Sequence, residues 1–284
     1  MPRHGHDVEA AFSVIYNQSL WGEGGSRSGD GSTMKNTRGV TRILLELIAS
    51  LSVRKLMDAP CGAMAWQLPL LKQLAQRHPN FSYLGLDVVE SVIEGNRALL
   101  APHVQALWHT GLSAEFQKVN LVEERLPRGY DLILSRDALQ HNRLEDVWSM
   151  LHAYGNTDAR WLLVGSYPNG SLNCGTVREA TTPNRQIRAT GGYFCIDLQQ
   201  PPFSLNPTQV LAEATHDRKA LYLFERREFA SQVHRRLGQV CTQLCKHPDR
   251  SPPYDPSPLA QAHQRPYERD HLGRLCARCG FSCV

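Results

Sequence analysis

Two acidic residues stand where acids do chemistry rather than where they merely solvate a surface. Asp58 follows the apolar Val53, Leu56 and Met57, and Asp87 follows Tyr83-Leu84-Gly85-Leu86. Between them Ala59-Pro60-Cys61-Gly62 is a turn. A buried strand, a tight turn and a helix start at this point place backbone against a ligand at the carboxyl end of a sheet. An acid ending the second strand can accept hydrogen bonds from both hydroxyls of a ribose. A second pair, Asp137 and His141, follows the apolar run 130–134. Four residues apart, they share a face if a helix has begun. An imidazole there has the intrinsic pKa of a general base. The plainer reading makes Asp137 an N-cap and His141 a solvated helix residue.

The turn after Asp58 lacks the second and third glycines of a dinucleotide fingerprint, because Ala63-Met64-Ala65-Trp66 follows Gly62. A pyrophosphate is therefore poorly accommodated. A nucleoside without phosphates and with a cationic tail needs fewer glycines and more carboxylate. S-adenosylmethionine answers that description. The Asp-x-Pro-Cys-Gly turn followed by Gly-x-Asp resembles class I S-adenosylmethionine-dependent methyltransferases. The resemblance extends to Trp21-Gly22, the Ser-Arg-Ser-Gly-x-Gly-Ser run at 26–32, Arg136-Asp137 with His141, and Gly191-Gly192-Tyr193 through Asp197-Leu198 to Pro201-Pro202-Phe203. It covers roughly residues 10 to 230 and resembles a little-characterised group within that class. It implies a cofactor site made by Trp21, Arg27, Ser28, Asp58, Pro60, Cys61, Gly62, Asp87, Asn120, Ser135 and Arg136. Ala63 and Asn120 stand where the group is expected to carry acids, which removes two carboxylates from beside the nucleoside.

The elements that must position these residues alternate as in a doubly wound α/β fold. Apolar spacing predicts helices over 8–20, 36–50, 68–76, 91–100 and 139–153, and strands over 81–86, 130–134 and 161–167. A third strand or loop falls at 116–121, a late strand at 219–224 and a basic helix at 226–245. With the resemblance, this gives an α/β, Rossmann-like, seven-stranded methyltransferase sheet with an N-terminal lid and an insertion after strand five. The expected organisation is a helix and Gly/Ser-rich lid over 1–36, a methyltransferase domain over 37–240, and a poorly ordered tail over 241–284. In the lid, Arg27 between two serines suits two parallel bonds to a carboxylate. The insertion, 168–206, is expected to wall the acceptor pocket, with Arg185 and Tyr193 as acceptor contacts and Arg178 and Arg188 nearby.

Composition bounds the rest. The 284 residues carry a formal charge of +4, with 42% hydrophobic and 20% charged residues. That is the balance of a globular chain, mildly basic and without a Lys/Arg block. No apolar run approaches the roughly 20 residues of a membrane span, and residues 1–10 do not read as a signal peptide. Eight cysteines scattered over a long chain read as free thiols, hence a cytoplasmic protein. Cys276-x-x-Cys279 with Cys241, Cys245 and His247 is an irregular zinc pattern, ranked below incidental thiols, so no metal is expected.

The leading expectation is O-methylation of a small molecule or sugar, with Asp137 and His141 at the acceptor. The absence of an Asn/Asp-Pro-Pro-Tyr turn after strand four weakens methylation of adenine or amide nitrogens. The alternatives are a protein or RNA methyltransferase docking through the basic 226–236 stretch, and a binding module that has lost turnover.

Overall fold

A computed structural model of the chain describes residues 8–22, 27–168, 184, 187, 189–246 and 269–281. Its centre is a seven-stranded sheet in the order β3-β2-β1-β4-β5-β7-β6. The strands are β1 (Lys55–Asp58), β2 (Ser82–Asp87), β3 (Ser113–Lys118), β4 (Leu132–Ser135), β5 (Trp161–Ser166), β6 (Gln209–Ala212) and β7 (Ala220–Glu225). The first five run parallel; β7 pairs antiparallel with both β5 and β6. Chain order reverses outward from β1 and β4, so the crevice between their carboxyl ends is the switch point where such sheets bind ligands.

The helices are α1 (Val8–Asn17), α2 (Arg38–Ser50), α3 (Gln67–Arg77), α4 (Glu90–Leu100), α5 (Val104–Trp108), α6 (Leu144–Gly155), α7 (Arg226–Lys246) and α8 (Arg269–Arg278). Periodicity explains them. α2 buries Val40, Ile43, Leu44, Leu47 and Ile48 on a single face, and each such side chain contributes roughly 1.5–3 kcal/mol of transfer free energy. In β1 Leu56, Met57 and Asp58 are all buried, as expected of a central parallel strand covered on both faces. That burial makes a lone acid at the strand end conspicuous.

The expected seven-stranded α/β sheet is therefore observed, with several local corrections. The helix expected over 139–153 is interrupted. A single 3-10 turn at Leu139–His141 is followed by extended Asn142, and α6 begins only at Leu144. Asp137 has a φ of 51° and precedes that turn, so it does not cap an α-helix. The third strand ends at Lys118, before Asn120.

The cysteine reading is also corrected. Cys241 and Cys276 form a disulfide, and Cys195 and Cys245 are disulfide-bonded too. Among the described residues only Cys61 and Cys279 are free. The disulfide depends on α8 docking against α7, a long-range contact that cysteine spacing does not reveal. It occupies Cys276, removes half of the Cys276-x-x-Cys279 zinc pattern, and withdraws the thiol argument for a reducing compartment. Within the 241–284 tail, residues 241–246 continue α7 and Leu272 and Leu275 of α8 are buried in the main core. Among the described residues no helix is long and apolar enough to cross a membrane.

The described part of the insertion belongs to the core as well. Phe194, Ile196, Leu198, Phe203 and Leu205 are buried. The Asn184 side-chain amide donates to the carbonyls of Asp197, Gln200 and Pro201 at 2.7–3.2 Å, pinning the segment's return path.

Candidate active site

A cleft opens at the carboxyl ends of β1, β2 and β4. Asp58, Pro60, Cys61, Gly62, Asp87, Asn120, Arg136, Asp137 and His141 line it, with Trp21 and Ser28 from the lid. These expected residues are brought together although they span 121 positions of sequence (21 to 141).

Asp58 is 2% exposed. It accepts hydrogen bonds from Tyr83 Oη at 2.8 Å and Gln67 Nε2 at 3.2 Å. Burial pushes its carboxyl up to about 7 against the pull of these donors and of Arg136. Asp87, equally enclosed, accepts from the backbone N–H of Gly62 at 3.1 Å and of Val89 at 3.0 Å. Burial raises it to about 6. The acid of β2 thus holds the turn that follows β1. Asn96 on α4 completes the clamp. Its Nδ2 donates to the Gly62 carbonyl and its Oδ1 accepts the Met64 N–H, both at 2.8 Å. Gly62 has a φ of 59°, and a Cβ there would press on Ser28 Oγ, so glycine is required twice over.

The lid lies against that turn. Ser28 Oγ accepts the N–H of Ala63 at 2.8 Å and bonds the Tyr16 hydroxyl at 2.9 Å. Trp21 meets Phe12 and Tyr16 edge-on at ring centroids of 5.9 and 6.1 Å, and lies over His141 at 4.5 Å. Arg136 Nη1 donates to the Gly31 carbonyl at 3.0 Å and so ties the end of the lid to β4.

Asp137 does not have the environment of a base. Its Oδ2 lies 2.9 Å from Lys219 Nζ and 3.0 Å from Arg136 Nη1. Burial alone would raise its pKa, but these two cations outweigh burial and hold it far below the carboxylate range. Arg136 is bound in turn by Glu213 at 2.8 Å. The group is a buried ion cluster joining β4, the β6–β7 connection and the lid.

His141 is different. Its Nδ1 lies 2.7 Å from the carbonyl oxygen of Gly192, in the insertion. Burial lowers its pKa. Tyr193 packs beside the ring at 5.7 Å and is 45% exposed.

Other expected residues fall elsewhere. Arg27 is exposed and does not line the cleft. Ser135 is buried with its Oγ against Tyr154 Oη at 3.0 Å, behind the cleft wall. Asn120 lines the cleft and also closes its own turn, its Oδ1 accepting the Val122 N–H at 3.0 Å. Arg178, Arg185 and Arg188 lie outside the described residues. Sequence reasoning missed Tyr16, Gln67, Tyr83, Asn96, Glu213 and Lys219. Each is a common residue type without motif spacing. Only Gln67, on the first turn of the helix that follows the glycine turn, carried a positional signal.

No family model matches the chain, and no curated protein matches it. Solved structures do. The methyltransferase domain of a bacterial Hen1 (CtHen1-CN) aligns over 66% of this chain and 98% of its own, at 15% identity and a TM-score of 0.50. Magnesium protoporphyrin IX methyltransferase from Synechocystis PCC 6803, with bound S-adenosylhomocysteine, aligns over 76% and 96% at 17% identity and a TM-score of 0.49. A putative O-methyltransferase from Nostoc punctiforme aligns over 76% and 71% at 13% identity and a TM-score of 0.48. At 15% identity the likeness to the Hen1 domain concerns the fold alone, a Rossmann-like methyltransferase fold.

Proposed function

We propose that the chain is an S-adenosylmethionine-dependent methyltransferase that transfers the methyl group to a hydroxyl of a small molecule or sugar. The observation that carries this reading is the pair of buried acids, Asp58 and Asp87, flanking one glycine turn in one cleft. The residues present fit the cofactor. Gln67 Oε1 is buried in the cleft lining without a hydrogen-bond partner, beside Asp58. An ammonium group would supply the missing donors and the charge that buried Asp58 requires. Asp87 suits ribose hydroxyls, and Leu121 and Val122 offer an apolar wall for a base.

S-adenosylmethionine supplies a methyl group already activated by positive sulfur. What remains for the protein is alignment, exclusion of water and removal of the acceptor's proton. Alignment of two reactants contributes about 7–11 kcal/mol. Trp21 and Ser28 close the lid side of the cleft, and the Arg136–Gly31 bond holds that closure. Asp137 is an anchor for Arg136 and Lys219 in this scheme, which leaves His141 as the proton acceptor. The acceptor contacts at Tyr193 and Arg185 are parts of the same proposal.

A thermal-shift titration with S-adenosylmethionine and S-adenosylhomocysteine, with NAD as control, tests it. A ligand that binds only the native state raises stability by RT ln(1 + [L]/Kd). A saturable rise with the first two only, lost in Asp87→Ala, is expected. No rise at millimolar cofactor would sink the reading and favour a binding module. His141→Ala should keep the shift and lose transfer.

A further inference from the structure

The insertion after β5 reaches back to the segment that carries His141 and holds it by three hydrogen bonds. The N–H of Gly191 donates to the carbonyl of His141 at 2.8 Å, and the N–H of Phe194 donates to the carbonyl of Gln140 at 3.2 Å. The third bond joins His141 Nδ1 to the Gly192 carbonyl at 2.7 Å. A carbonyl oxygen has no proton to give. Nδ1 must therefore carry the hydrogen, and in a neutral ring the lone pair falls on Nε2.

We propose that the Gly192 carbonyl is a positioning group. It fixes His141 as the Nδ1–H tautomer, so that Nε2 is the proton acceptor for a hydroxyl that stays protonated until transfer. This rests on the methyltransferase reading. The hydroxyl proton goes to Nε2. The oxygen pair forms the new carbon–oxygen bond, the carbon–sulfur pair leaves with sulfur, and the imidazolium later returns its proton to solvent. An acceptor that arrives ionised would need no such base.

The surroundings keep the ring neutral beforehand. Trp21 lies over one side at 4.5 Å and Tyr193 packs nearby at 5.7 Å. The charges facing it are Asp137, beyond β4, and Lys219, before β7. They form an ion pair with each other at 2.9 Å, so their effects on the ring oppose. Desolvation of the half-buried imidazole then decides: it outweighs the Gly192 carbonyl, which by itself favours the charged ring, and keeps the ring uncharged.

Gly191 makes the arrangement possible. Its φ is 86°, and a Cβ there would collide with the Ile15 side chain of α1. The insertion can thus approach α1 and His141 together only with glycine at this position.

Nitrogen-15 NMR of the histidine rings tests the tautomer without an acceptor. His141 is assigned by its absence in His141→Gln. At pH 7 the expected pattern is a protonated Nδ1 and a pyridine-like Nε2, persisting below pH 6.5. An Nε2–H tautomer or an imidazolium at pH 7 would overturn the proposal. In Gly191→Ala the pattern should collapse toward a tautomer mixture while the S-adenosylhomocysteine thermal shift persists. An unchanged pattern would also overturn it. If that variant does not fold, the wild-type spectrum still decides. The cofactor reading fails separately, by the absence of a thermal shift.

Discussion

At the scale of single residues, Asp58 and Asp87 predict opposite pH dependences for the free and the ligand-bound protein. Burial lifts the two carboxyls to about 7 and about 6. In the unfolded chain they lose their protons near pH 4. The folded state therefore binds more protons between about pH 4 and 7, and stability falls as pH rises through that window. Melting of the free protein should show this contribution at pH 5 and its loss at pH 8, with Asp58→Asn flattening the slope. A cationic ligand reverses the preference, because it favours the ionised acids. Its Kd should tighten up to about tenfold per pH unit for each proton released, levelling off above pH 7. A pH-independent Kd would refute direct contact with either acid. Asp137 gives the contrasting case. Asp137→Asn leaves Lys219 and Arg136 buried with less negative charge, and breaking such a cluster costs about 3–5 kcal/mol. Urea unfolding should show that loss. Unchanged stability with transfer abolished would place Asp137 at the acceptor instead.

At the scale of elements, legibility followed burial. Asp58 and Asp87 were readable because each ends an apolar run, and α2 because five buried residues repeat with helical period. β6 was not readable: its apolar run, Val210-Leu211-Ala212, is too short to stand out, and as an edge strand it leaves Gln209, Val210 and Ala212 exposed. The 3-10 turn before α6 was hidden for another reason. Leu139 to Ala153 reads as one helix because Leu144, Val147, Trp148 and Leu151 repeat with helical period, and only the left-handed backbone at Asp137 and the tie to Gly192 break it. The docking of α2 was equally invisible, yet one glycine controls it. A Cβ on Gly39 would overlap the main-chain carbonyl of Glu213, just past β6. Gly39→Ala should destabilise the protein by about 1–3 kcal/mol or more, since backbone cannot yield as a side chain can. Gly95 in α4 is exposed, with nothing near its missing Cβ. Gly95→Ala should therefore stabilise by up to about 1 kcal/mol. Equal effects in denaturant titrations would contradict this packing.

At the scale of the whole molecule, the disulfide decides whether α8 belongs to the fold. α8 has ten residues, fewer than the roughly 12–15 an isolated helix needs to persist in water. Its contribution to the core is Leu272, Leu275 and Cys276. Phe281 adds a ring contact with His234 of α7 at 4.7 Å. The Cys241–Cys276 bond spans 35 residues. Closing a loop of that length removes about 3–4 kcal/mol of unfolded-chain entropy. Reduction should therefore lower the melting temperature and loosen α8 first, because its own contacts are few. Trypsin then reports the event locally. Cleavage after Arg274 and Arg278 should be slow in the oxidised protein and rapid after reduction. The cleft should respond less, because α8 packs on α6 and α7, which give the cleft lining a single residue, Met150 of α6. S-adenosylhomocysteine should still raise the melting temperature of the reduced protein by a similar increment. If reduction leaves trypsin protection intact, α8 is held by packing alone. Reduction also opens the disulfide of Cys195 in the insertion, so Cys276→Ser separates the two. If that variant too loses the ligand-induced shift, the C-terminal helix supports the cleft itself, and core stability and site geometry are not separable.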